Sequence, residues 1–229
     1  MATYPRYAIY FTAAPGSALD RFGASMLGYD AYGGDDLPFP EGVTPDWHDL
    51  TQDPRKYGFH ATLKAPIALA PGKTEAELAA ACESFAGSRR PIPVIEPVVD
   101  SISGFIAVIP ATPSAELERL AADATKAFDS FRAPLTEHDR ARRNPAKLTP
   151  RQRDYLERWG YPYVMEEFRF HMTLTGRLPA ERREAVVAML RERFAATGGG
   201  PLAIDAISLC RQETANSRFR VIGRWPLQE

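Results

Sequence analysis

Two of the chain's four histidines sit in the same five-residue phrase, Phe-His-x-Thr-Leu, written as Phe59–Leu63 and again as Phe170–Leu174. On an extended strand, residues i and i+2 share one face and residue i+1 takes the other. His60, Thr62 and Lys64 therefore align against Phe59, Ala61 and Leu63. In the second copy Arg169, His171, Thr173 and Thr175 align against Phe168, Phe170, Met172 and Leu174. Each strand has one apolar face for a core and one polar face for chemistry. Two imidazoles with ordinary pKa values near ~6.5 supply a base and an acid together at neutral pH. Threonine hydroxyls donate hydrogen bonds to anionic oxygens, and Lys64 and Arg169 add positive charge. Phosphodiester cleavage needs this set: a base for water or a hydroxyl, an acid for the leaving oxygen, and donors for the non-bridging oxygens. A lone strand histidine is more often structural. Its repetition together with threonine moves the balance to function.

The elements that must carry these residues are legible on either side. Arg6–Phe11 is a short apolar strand, and residues 17–27 read as a helix. Residues 30–54, rich in Gly, Pro and Asp, read as a long surface loop. The first phrase is expected as a strand over 57–66. Thr74 followed by Glu77 is a capping-box start, and Leu78, Ala81, Cys82 and Phe85 form the buried stripe behind it. Pro93 and Pro97 make "IPVIEPVV" an edge or irregular strand. Residues 104–110 open the second half as another apolar strand. Leu117, Leu120, Ala121, Ala124, Phe128 and Phe131 then follow at helical spacing. Residues 133–163 form a basic, proline-punctuated insert with a short helix over 150–159. The second phrase is expected as a strand over 167–176. Pro179 suits the first turn of a helix over 180–194, and two strands close the chain.

Each half thus reads strand, helix, loop, histidine strand, helix, strand. The expectation is one bilobal α+β domain over 1–229, with lobe one mainly 1–100 and lobe two mainly 101–229. Each pseudo-symmetric lobe is an antiparallel sheet with outer helices, and the polar faces meet in an active-site cleft between them.

Composition narrows the remaining choices. The chain is 45% hydrophobic and 25% charged with a net charge of −1, so no global basic field exists to hold a nucleic-acid backbone. The basic run 138–153, "HDRARRNPAKLTPRQR", has no interleaved aromatics for base stacking and reads as a solvated insert or lid, with RNA a weaker alternative. Tyr57 is expected to pack on the Phe59 side. His48 and His138 fall in loops, and Arg218, Arg220 and Arg224 on an exposed strand face. Cys82 and Cys210 are far apart and outside any CxxC spacing. HExxH, Walker, GxGxxG and GxSxG patterns are absent, so neither a metal nor a cofactor is expected. The chain shows no signal-peptide pattern and no run long enough for a membrane span, so a cytoplasmic location is expected; a monomer acting on a small phosphorylated substrate is a separate expectation.

The two His-x-Thr strands, one per half, resemble the two-histidine (2H) phosphoesterase superfamily. The fuller strings "YGFHATLKAP" and "FRFHMTLTGRL", with "RYAIYF" and "PRQRDYLERWGYPYV", resemble an uncharacterised branch associated with bacterial phosphonate-metabolism (carbon–phosphorus lyase) operons. The resemblance implies a metal-independent esterase acting on a cyclic phosphodiester, with a ribosyl 1,2-cyclic phosphate 5-phosphate as the candidate in that pathway. It implies His60 and His171 as the catalytic pair and Thr62 and Thr173 as phosphate ligands. Lys64, Arg169 and Thr175 lie outside the superfamily motif and are added from strand geometry alone. RNA 2′,3′-cyclic or 2′,5′-linkage processing, and a non-catalytic phosphate- or nucleotide-binding module, are the alternatives.

Overall fold

The computed structural model describes residues 3–198 and 200–228. Among the described residues nine strands are defined: β1 (Arg6–Phe11), β2 (Ala61–Ala68), β3 (Ile92–Ile95), β4 (Pro97–Ile102), β5 (Phe105–Pro110), β6 (Met172–Thr173), β7 (Leu202–Ile204), β8 (Ala206–Gln212) and β9 (Arg220–Pro226). The helices are α1 (Ala18–Leu27), α2 (Trp47–Leu50), α3 (Gln52–Arg55), α4 (Glu75–Gly87), α5 (Ala115–Ala127), α6 (Glu137–Ala141), α7 (Pro150–Trp159) and α8 (Ala180–Ala195). Seven strands form one antiparallel sheet in the order β4-β5-β6-β2-β1-β8-β9, and β3 pairs with β7.

The α+β class and the pseudo-symmetry are both visible in this order. From the centre of the sheet outward, β2-β1-β8 on one side mirrors β6-β5-β4 on the other. In each trio the histidine strand pairs with the apolar strand that opened its half of the chain. The third strand comes from the other half: β8 joins the first trio and β4 the second. A cut near residue 100 therefore divides the sequence but not the sheet. The two antiparallel sheets are fused edge to edge through the single β2–β6 pair Ala61↔Met172.

One face of the sheet packs on helices. Tyr7, Ile9, Phe11, Ile106, Val108, Met172, Ile207 and Leu209 meet Phe22 and Met26 of α1, Leu78 and Cys82 of α4, and Val186 and Leu190 of α8. Local signals place these helices. Thr74 and Glu77 form the expected capping box, and Thr149 with Gln152 forms a second one at α7, where Pro150 occupies the first turn. Residues 30–54 are less loop-like than expected. Trp47 is buried with its Nε1 donating to Met26 O, and buried Arg55 donates to Leu27 O, so α2 and α3 are fastened to the end of α1. Among the described residues, no helix is long and apolar enough to cross a membrane.

The second phrase departs from expectation. Ladder pairing covers only Met172 and Thr173, not 167–176. Before them, residues 165–167 form a 3₁₀ turn. After them, Leu174 and Thr175 both donate to Ile106 O, and the Thr175 hydroxyl accepts from Ile106 N, so a side chain replaces the ladder acceptor. Because β6 is so short, the outer part of β2 has no strand on that edge. Helix α5 fills the gap, with the Thr125 hydroxyl donating to Leu63 O.

Candidate active site

The antiparallel register around Ala61↔Met172 determines the site. One residue to either side, His60 lies beside Thr173 and Thr62 beside His171. Ala61 and Met172 are fully buried on the helix face, and the four polar residues are half-buried on the other. The pseudo-twofold axis passes through the central pair. Direct cross-strand neighbours are separated by roughly 4.5–5.5 Å, so the four side chains crowd one small patch of sheet.

Both rings are held in the same way. His60 Nδ1 lies 2.8 Å from Gly58 O, and His171 Nδ1 lies 2.6 Å from Arg169 O. A carbonyl only accepts, so each Nδ1 carries its proton and each Nε2 is left for chemistry. His60 Nε2 is 3.2 Å from the Thr62 hydroxyl, which donates to it when the ring is neutral. Burial pushes His60 down to about 4, against the Gly58 hydrogen bond, and a charge on His171 lowers it further. Burial likewise lowers His171, opposed by Arg169 O. Both shifts favour the neutral ring. An anionic phosphate between them reverses the effect and favours one imidazolium.

Gly58 sits at φ 74, and a Cβ there would lie 2.6 Å from the Ala31 side chain. Only glycine tolerates this conformation, which breaks the strand alternation before His60. Tyr57 is consequently not on the Phe59 side. Its ring stacks on Phe219 at 5.4 Å and lies 6.1 Å from His60. Tyr10 of β1 stacks on His60 at 3.8 Å, and Phe105 of β5 lies 5.3 Å from His171. Helical periodicity and motif spacing carry no signal for these aromatics. Tyr10 could have been found only from the alternation of β1, which places Ala8 and Tyr10 opposite the core.

Beside His171 and Thr62 opens a cavity of about 360 Å³, lined by Phe105, Tyr161, Tyr163, Arg169 and Arg177 among others. Arg169 is therefore at the site, although its Nη1 is engaged by Glu166 O and Phe168 O. Two expected ligands are elsewhere. Lys64 is 3% exposed, and its Nζ donates to Asp129 Oδ1 (2.7 Å) and Thr125 O (3.1 Å) under α5. Thr175 is fully buried and uses its hydroxyl on Ile106 N and Gly176 O. The polar face ends two residues short of these positions because α5 covers Lys64 and the Ile106 backbone engages Thr175.

Part of the basic insert is engaged within the fold. Arg140 pairs with Glu157 and Arg151 with Glu167, while Arg143 lies over the Tyr161 ring at 4.7 Å. Arg218 and Arg224 pair with Asp36 and Asp205, and Arg220 donates to Gly33 O. Among the described residues, no three His, Cys, Asp or Glu side chains cluster as a metal site would require.

Residues 62–220 match the family described as "Protein of unknown function (DUF1045)". The chain belongs to this family. Two curated relatives carry the name ribose 1,5-bisphosphate phosphokinase PhnN. The protein from Janthinobacterium sp. (strain Marseille) is 37% identical over 93% of this chain and 49% of its own length. The one from Laribacter hongkongensis (strain HLHK9) is 31% identical over 94% of this chain and 50% of its own. The DUF1045 chain thus spans about half the length of these relatives. Among solved structures, E. coli LigT complexed with NADP+ is 16% identical, with a TM-score of 0.41 over the whole of both chains. A conserved protein of unknown function from Agrobacterium tumefaciens str. C58 is 14% identical, with a TM-score of 0.41 over 96% of this chain and 86% of its own. Neither solved structure is near enough to argue from.

Proposed function

We propose that the chain is a phosphodiesterase that hydrolyses a small cyclic phosphate ester by paired-histidine acid–base catalysis, without a metal ion. One observation supports the reading: two histidines and two threonines flank the Ala61↔Met172 pair on one face of the sheet, with both Nδ1 atoms tied to backbone carbonyls so that both Nε2 atoms are left for chemistry. In the reaction, the neutral Nε2 takes a proton from water as its oxygen bonds to phosphorus. The protonated Nε2 of the other ring gives its proton to the ester oxygen as the P–O bond breaks. Thr62 and Thr173 donate to the non-bridging oxygens, whose charge grows in the transition state. The pseudo-twofold axis lets either histidine take either role.

The relatives suggest the substrate class. Their name concerns a ribose bisphosphate, and this chain, which matches about half of each, contains no Walker loop. We therefore assign this half a ribose phosphate ester as substrate rather than a nucleotide-driven kinase step. Arg169 and Arg177, on the cavity beside His171, suit a second anionic group on such a substrate. A ribosyl 1,2-cyclic phosphate 5-phosphate, in the setting of phosphonate breakdown, combines these features.

The test is a panel of ribosyl cyclic phosphates, nucleoside 2′,3′-cyclic phosphates and RNA oligomers with cyclic or 2′,5′ linkages, assayed before and after exhaustive chelation. Turnover of the small ribosyl esters, unaffected by chelation and abolished by His60→Ala or His171→Ala, is expected. Preference for RNA oligomers overturns the substrate assignment. Activity restored by one divalent ion overturns the metal-free mechanism. Binding without turnover of any member reduces the site to a phosphate-binding module.

A further inference from the structure

Tyr10 lies on β1 directly across from Thr62, on the site face of the sheet. Its ring is 3.8 Å from the His60 ring and 26° from parallel, a face-to-face stack. His171 has no equivalent: Phe105 is 5.3 Å away and tilted by 54°. Tyr10 is 1% exposed, and its buried hydroxyl has no hydrogen-bond partner among the described residues. A phenol in this position forfeits a hydrogen bond that phenylalanine would not need. The contribution of the side chain is therefore its ring, an electron-rich face laid against the imidazole.

We propose that Tyr10 is a positioning residue for His60, its ring holding the imidazole plane so that Nε2 keeps its aim and its π face supporting the imidazolium formed on protonation. The hydrogen bonds at Nδ1 to Gly58 O and at Nε2 from Thr62 pin two atoms of the His60 ring but leave its plane free to roll about the line between them. The stacked phenol removes this freedom, because rotation would drive the imidazole into the ring below. Other groups act on the same ring: Tyr57 from the preceding loop, Thr62 from its own strand, and His171 from β6. Arg143 and Tyr161 of the insert act on the phenol of Tyr10. Among these neighbours, Tyr10 alone presents a parallel face, so its removal has a signature the others do not share.

The inference rests on His60 being an acid–base group, but its first test needs no activity. Histidine-labelled whole protein is followed by NMR, with His48, His60, His138 and His171 as the four reporters. In the native chain, stacking should move the His60 ring protons upfield. Tyr10→Leu, and Tyr10→Met should leucine fold poorly, are expected to abolish that shift. They are also expected to lower the His60 proton affinity by about three- to tenfold, because the cation loses its π face. Tyr10→Phe should keep both properties, and in all variants the His171 ring shifts of the neutral form should be unchanged, its titration moving only through its coupling to His60. A folded Leu or Met variant with His60 unmoved in shift and titration overturns the proposal, whatever the enzyme's substrate. With an active substrate in hand, Leu or Met should lower kcat about tenfold or more at nearly constant KM, and Phe should stay within about twofold of native. A Phe variant as impaired as Leu would overturn the ring's role in favour of the hydroxyl.

Discussion

Replacing Asp129 with alanine should destabilise the fold through Lys64 while leaving the histidine pair untouched. Lys64 is 3% exposed, and its Nζ has two partners, Asp129 Oδ1 and Thr125 O. Asp129 is also gripped by Arg132, and its side chain is 24% exposed. Burial works against the Lys64 charge and lowers its pKa even with Asp129 present. For the carboxylate, burial is outweighed by Arg132 and Lys64 together, which hold it below its ordinary value. Removing one partner of a fully buried pair costs ~3–5 kcal/mol. Partial exposure of Asp129 and the remaining carbonyl bring this to about 2–3 kcal/mol, or a Tm lower by roughly 5–10 °C for a chain of this length. Without its counter-ion, Lys64 should be depressed further below the unfolded value near ~10.4. The unfolded chain then binds more protons between the two values, so the deficit should shrink as pH rises through that interval. Adding Lys64→Met to the alanine variant removes the stranded charge and should recover most of the loss. Thermal and urea unfolding of the two single variants and the double variant measure all of this. An alanine variant within about 1 °C of native, or a double variant no better than it, would refute the buried-pair account. Lys64→Met alone should retain turnover, since its ammonium never reaches the site.

Thr62→Val and Thr173→Val should fold normally and each slow turnover by on the order of 10²–10³, because valine keeps the shape and removes a donor to the developing charge; steady-state kinetics with circular dichroism as a folding control checks both. Rate against pH should be bell-shaped, with limbs belonging to the coupled pair, and each single His→Ala variant should remove one limb with most of the rate. A rate rising monotonically from about pH 5 to 9 would contradict the pair. Stability should also report the histidines. His60 falls from ~6.5 unfolded to about 4 folded, so the unfolded chain binds the extra proton between those values and stability is lost as pH drops through that window, by up to about 3 kcal/mol from this residue. His171 adds in the same direction. Urea midpoints at pH 7 and pH 4.5 should therefore differ less for the His60→Ala/His171→Ala double variant than for the native chain.

What the sequence determined by itself was whatever is encoded over a few residues. The alternation of Phe59–Leu63 and Phe170–Leu174 specifies an apolar face and a polar face wherever the strands end up. Thr74 with Glu77, and Thr149 with Gln152 and Pro150, satisfy helix-end N–H groups from adjacent positions, so α4 and α7 begin where their caps stand. Pro97 suits a strand with a free edge, and β4, which it opens, is an outer strand of the seven-stranded sheet. Tertiary structure decided how these pieces share space. Local alternation contains no information about strand partners, so the exchange of β4 and β8 between trios was not legible. Neither was the fusion at Ala61↔Met172 that brings four residues from two distant phrases onto one patch. The fate of Lys64 and Thr175 depended on a long-range packing choice. Helix α5 covers the edge that a short β6 leaves open, and a lysine beneath it must find a carboxylate instead of solvent or substrate. Tyr57 was turned by one left-handed glycine, and Tyr10 gained its role only because β1 pairs with β2. Side-chain direction follows from the backbone locally, but the neighbour it meets is set by contacts far apart in the chain.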